Sequence, residues 1–96
     1  MVRYLALVEF TEKGLRDVAQ SPQRAADFRA SVEALGGKVE SLYWAVGQFD
    51  GCIVFEAPDE ETAAGLLLSL GRQGNVRTRS MRLFDEAEFV SVVGKL

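Results

Sequence analysis

The chain has 96 residues, 48% of them hydrophobic and 26% charged, with a net charge of −3. That length predicts one domain over residues 1–96, with a single core and little room for a deep private pocket, and the acidic balance argues against nonspecific nucleic-acid binding, which rests on neutralising phosphates. With no histidine and one cysteine, Cys52, an intrachain disulfide, the usual Cys/His zinc sites and the Ser–His–Asp and Cys–His nucleophile systems are excluded.

Residues 2–10 are rich in β formers and nearly all apolar, which predicts a central strand buried on both faces. The run Leu5 to Val8 is too short for a signal-peptide core, and no stretch approaches a membrane span. A cytoplasmic protein is the expectation. Residues 11–20 are polar, with Gly14 as a breaker and room for one helical turn. Ser21-Pro22 reads as a helix start, a hydroxyl cap followed by proline in the first turn. Ala25, Phe28, Val32 and Leu35 recur at helical spacing until Gly36-Gly37 stops the helix.

Residues 38–46 predict a second strand whose polar beginning places it at an edge. Gly47 to Gly51 reads as a hairpin turn, and Cys52 to Glu56, continuous and apolar, as a central third strand. Asp59 caps a second long helix with an acidic first turn. Its apolar stripe is Ala63, Leu66, Leu67 and Leu70, and Gly71 and Gly74 end it. Residues 75–84 predict an arginine-marked edge strand. Asp85 to Glu88 has the form of a capping box before a helix that carries Phe89, Val92, Val93 and Leu96 on one face.

The order is β-α-β-β-α-β with a terminal helix. Right-handed crossovers then give an α+β, ferredoxin-like sandwich with a four-stranded antiparallel sheet of order 4-1-3-2. Both long helices cover one face. Strands one and three carry bulky apolar groups on both sides, so the second face also needs a cover. A patch of that size marks an interface. The expectation is a homodimer through the open sheet face, forming a dimeric α/β barrel; the alternative cover is the C-terminal helix folded back.

The segments Val8-Glu9-Phe10-Thr11-Glu12-Lys13-Gly14, Ser21-Pro22, Gly36-Gly37-Lys38-Val39, Tyr43-Trp44, Gly47-Gln48-Phe49-Asp50, Glu56-Ala57-Pro58-Asp59 and Gly74-Asn75-Val76-Arg77-Thr78 together resemble the GYD family of the dimeric α/β-barrel superfamily, over nearly the whole chain. The resemblance implies the ferredoxin-like fold and two sheets paired face to face, but it supplies no activity. Phe49 stands where the family usually has tyrosine, so any role that needs that phenol is in question here.

The candidate for polar chemistry is Asp50, beside Gln48 and Tyr43, as a base or as a holder of a ligand amine; the plainer reading is that it satisfies turn amides. Arg77 and Arg79 share a face of strand four and form a clamp for a carboxylate or phosphate. The plainer reading is a charged edge, or ion pairs to Glu9 or Glu56. Tyr43 and Trp44 point to opposite faces of strand two, as walls of a cavity or as core packing. Cys52 reads as a small buried hydrophobe.

Three functions stay open. The first is a homodimeric module holding a small, partly apolar ligand between sheet and helices. The second is a cofactor-free enzyme of the monooxygenase or isomerase type, which would use Asp50 or Glu9. The third is an assembly protein joined through strand edges. No metal and no cofactor are implied, and haem lacks an axial histidine.

Overall fold

The computed structural model describes residues 1–96. β1 (Val2–Phe10) leads into a short helix α1 (Glu12–Arg16), a single 3-10 turn (Val18–Gln20) and α2 (Ser21–Ala34). β2 (Lys38–Trp44) and β3 (Gly51–Ala57) follow, then α3 (Glu60–Arg72), β4 (Val76–Leu83) and α4 (Glu86–Val93). The sheet order is β2-β3-β1-β4, antiparallel throughout. Taken from the other edge it is the predicted 4-1-3-2, with β1 and β3 central, and the architecture is the ferredoxin-like α+β sandwich. No helix is long and apolar enough to cross a membrane.

Local chemistry sets the helix ends. Asp59 accepts a hydrogen bond from the Thr62 amide (2.8 Å) and starts α3. Asp85 and Glu88 form a reciprocal capping box at α4. Gly36, at φ +86°, closes α2 in the left-handed region that a side chain would resist. Two sequence expectations are corrected. Ser21 is not the cap of α2: it is the first helical residue, Gln20 is the cap and contributes no side-chain bond, and the Ser21 hydroxyl accepts from the Trp44 indole instead (2.9 Å). Gly14 does not break the chain but lies inside α1.

The core sits between the helices and one sheet face. Phe55, fully buried, meets Phe28 edge-on (5.7 Å) and stacks against Tyr4 (6.1 Å). Val32, Val39, Ile53, Ala63 and Leu66 complete the packing. Leu35 does not extend the α2 stripe, since it is 54% exposed. The apolar residues of α4 stay exposed as well. That helix does not cover the second sheet face, and Glu88 holds it to Arg3 (3.2 Å).

Strand register divides the side chains between the faces. Val2, Tyr4, Ala6 and Val8 of β1 join Ile53, Phe55 and Ala57 of β3 toward the helices. Leu5 and Leu7 align with Val54 and Cys52 on the open face, where Met81 of β4 lies beside Leu5. β2 is less regular. A bulge between Val39 and Ser41 shifts its register by one residue, so Ser41 pairs with Val54 on the open face while Leu42 and Trp44 return to the helix face.

Candidate functional site

A cavity of about 60 Å³ opens at the end of the sandwich where β1 and β2 finish and β3 and β4 begin. Ten of its fifteen lining residues are hydrophobic, among them Val8, Leu42, Ile53 and Leu70, so its walls are apolar with a few polar groups set into them. Arg24 and Ala25 of α2 and Gln73 at the end of α3 form its rim on the helix side. The space suits a handful of waters, or the head and first carbons of a small ligand.

Asn75 is the most deeply placed polar side chain there. It is 9% exposed, and its Oδ1 is buried with no hydrogen-bond partner. An acceptor left unpaired in this way costs about 1–3 kcal/mol. Its backbone is clamped from β1 and α1. The Thr11 amide donates to the Asn75 carbonyl (3.1 Å), and the Thr11 hydroxyl donates to the Gly74 carbonyl (2.6 Å). The same Thr11 oxygen accepts from the Gly14 amide (3.1 Å) and caps α1. Lys13 donates to the Gln73 carbonyl (3.0 Å). The chain at Gly74, φ +83°, turns sharply into β4.

Asp50, just before β3, is a second polar residue of the lining. Its Oδ2 accepts from the Phe10 amide (2.8 Å), and its own amide donates to the Val8 carbonyl (2.8 Å). Asp50 thus extends the β1–β3 ladder by one side-chain bond, holding a strand amide rather than the amides of its own turn. It makes no ion pair, and neither does Arg24.

The other sequence candidates separate. Trp44 and Tyr43 both border the cavity, Trp44 from the helix face and Tyr43 from the open face. At 50% and 66% exposed, neither is core packing. Gln48 lies in the exposed β2–β3 connection, outside the cavity lining. Arg77 and Arg79 lie on the open sheet face, away from Asp50. Arg79 pairs with Glu9 (3.6 Å) and sits over the Phe49 ring (5.9 Å). Sequence reasoning missed Asn75 and Arg24. Asn75 comes just before an edge strand and directly after a glycine, a place where asparagine usually reads as turn chemistry; the Thr11 clamp on its backbone joins residues far apart in sequence.

Two charged clusters lie elsewhere. On the open face, Arg3 holds Glu40 (3.1 Å), Glu56 (2.6 Å) and Glu88 (3.2 Å). The hydrogen bond with Glu40 is the main cause that raises the Arg3 pKa still further. Near the start of α3, the Tyr4 hydroxyl donates to Glu60, which also takes Arg82 (3.2 Å). That bond raises the Tyr4 pKa and lowers that of Glu60. No cluster of side chains suited to a metal ion is present.

The sequence model of the GYD domain matches residues 4–93. No curated protein matches the chain. Among solved structures, the chain is similar to the Mycobacterium tuberculosis leucine response regulatory protein (20% identity, TM-score 0.56), covering 88% of this chain and 51% of that one. It is similar also to an M. tuberculosis feast or famine regulatory protein complexed with L-methionine (20%, TM-score 0.57; 88% and 51% covered). A Thermus thermophilus protein matches at nearly equal length (16%, TM-score 0.56; 88% and 95%). The chain therefore spans about half the length of the first two. At these identities the likeness establishes the fold.

Proposed function

The chain belongs to the GYD domain family, and from that premise we propose that it is a homodimeric binding module that holds a small, partly apolar ligand between its sheet and helices. The observation that carries this is the apolar-walled cavity lined by Asn75, whose Oδ1 lies buried behind that lining without a partner. A buried acceptor without a partner destabilises the fold, and a ligand donor removes that penalty. The name of one neighbour, complexed with L-methionine, supports reading this fold as a small-molecule holder.

The dimer rests on the open sheet face. Leu5, Leu7, Cys52 and Val54 are only half-buried in one chain, and Met81 is 49% exposed. A second copy laid on this face removes that apolar surface from water. Charge favours the same pairing. One end of the face carries Arg3 among three glutamates, and the other carries Arg77 and Arg79 beside Glu9. A two-fold axis running across the strands sets each acidic end against the partner's basic end.

Native mass spectrometry of protein purified from cells tests both parts. The expected result is a dimer mass with a small molecule retained. A bare monomer at micromolar concentration would overturn the reading.

A second reading, a cofactor-free enzyme, draws on Asp50, an acceptor with one oxygen left over in the same cavity as Arg24. Glu9, the other carboxylate considered, lies outside the cavity and pairs with Arg79. If a reaction is found, Asp50→Asn should abolish turnover while binding persists; unchanged turnover in that variant removes Asp50 as the base.

A further inference from the structure

The chemistry of the cavity goes further and names the head group it takes. We infer that the site selects an alkyl- or arylammonium ligand, its N–H donors shared between Asn75 Oδ1 and the Asp50 carboxylate and its carbon body against Leu42, Ile53 and Leu70. This inference rests on the binding reading above and specifies it.

Two features of the site set the choice. Both polar groups at the strand ends offer an acceptor oxygen, that of Asn75 beside its own amide donor. Asn75 Oδ1 is buried and unbonded, and Asp50 commits one oxygen to the Phe10 amide and keeps the other free of protein donors. Two acceptor-bearing residues in one cavity lining call for a donor, and an ammonium supplies three. The second feature is preorganisation. The Thr11 clamp fixes the backbone that carries Asn75, and Asp50 is held by its ties to Val8 and Phe10, so little of the site must be ordered when a ligand enters. Several of the segments that carry the family resemblance meet at this point: Thr11 holds the Asn75 backbone, and Ser21 holds Trp44 at the cavity wall.

Arg24 is the competing group. Its guanidinium has no carboxylate partner, which by itself would favour an anion. Arg24 reaches the cavity from α2 and is only half-buried, whereas Asn75 is 9% exposed. A long arginine stem can line an apolar wall while its head stays in water. Asn75, the most buried polar group of the lining, therefore decides which end of a ligand goes in.

The test compares three four-carbon probes on the wild-type chain by ligand-observed NMR and calorimetry: n-butylammonium, n-butanol and butyrate. n-Butylammonium is expected to bind about tenfold more tightly than n-butanol, because a charge-assisted bond to a carboxylate replaces a neutral one. Butyrate is expected to be the weakest. In Asn75→Leu and Asp50→Asn the preference over n-butanol should shrink while n-butanol itself still binds. Should butyrate or n-butanol bind best, or the preference survive in both variants, the ammonium assignment falls and the cavity remains a binding site. Should none of the three bind, the binding reading falls with it.

Discussion

The carbonyl oxygen of Asn75 occupies the space that a side chain on Gly14 would need. A Cβ placed on Gly14 would sit 1.9 Å from that oxygen, well inside any real contact. The clash is with backbone, so no rotamer change relieves it. Gly14→Ala should push the start of β4 away from α1 and destabilise the chain by at least ~1–3 kcal/mol, the usual range for overpacking. Urea unfolding measures the loss. Amide shifts of Thr11, Gly74 and Asn75 should move together, since one clamp joins them. Wild-type stability in Gly14→Ala would show that the contact does not exist.

Ser21→Ala removes the acceptor for the indole N–H of Trp44. The bond is exposed, so the expected cost is small, ~0.5–1 kcal/mol. Trp44 is the single tryptophan, which makes its fluorescence a clean reporter of the cavity wall. Emission should shift toward that of free indole in water, with far-UV dichroism unchanged. An unmoved spectrum would show that something other than Ser21 positions the ring.

Val54→Lys places a charge at the centre of the open face, between Leu5 and Ser41. In a dimer built on that face the lysines of two copies would be buried without partners, which is strongly unfavourable. Sedimentation should show a monomer that keeps its helical and strand content. A variant that remains dimeric would place the interface on another surface.

Tyr4 and Glu60 predict the shape of the pH dependence. The Tyr4 pKa is raised above its ordinary 10.0, chiefly by the hydrogen bond to Glu60. Its stabilisation is therefore complete below 10.0 and is lost as pH rises through the folded value. The Glu60 pKa is lowered below its ordinary 4.5, chiefly by the bond from Tyr4. That contribution is present above 4.5 and is lost as pH falls through the folded value. Tyr4→Phe removes the shared bond, so the Tm difference between wild type and variant should be largest at neutral pH and shrink toward both extremes. A difference flat in pH would mean that the Tyr4–Glu60 bond does not set the pH dependence, since Tyr4→Phe keeps the ring stacked on Phe55.

The periodicities carried the fold. The continuous apolar runs around Leu5 and Val54 and the Asp59 and Asp85 caps are local signals, and each was realised where the residues stand. Local signals misled where a tertiary partner overrode them. Ser21 has the chemistry of a cap, but the Trp44 indole takes its hydroxyl. Gly14 has the look of a breaker, but its lack of a Cβ is used for a close approach to Asn75.

The sequence by itself determined the element order, the strand types and the two-sided apolar character of β1 and β3, because these depend on residues adjacent in the chain. Only the tertiary structure decided which face receives Tyr43 and which Trp44, since a one-residue bulge at Glu40 reverses the alternation. It alone decided that Asp50 shares a cavity lining with Asn75 and lies apart from Arg77 and Arg79. Such a site joins residues far apart in sequence, and the long-range clamp of Thr11 on the Gly74-Asn75 backbone has no local signature.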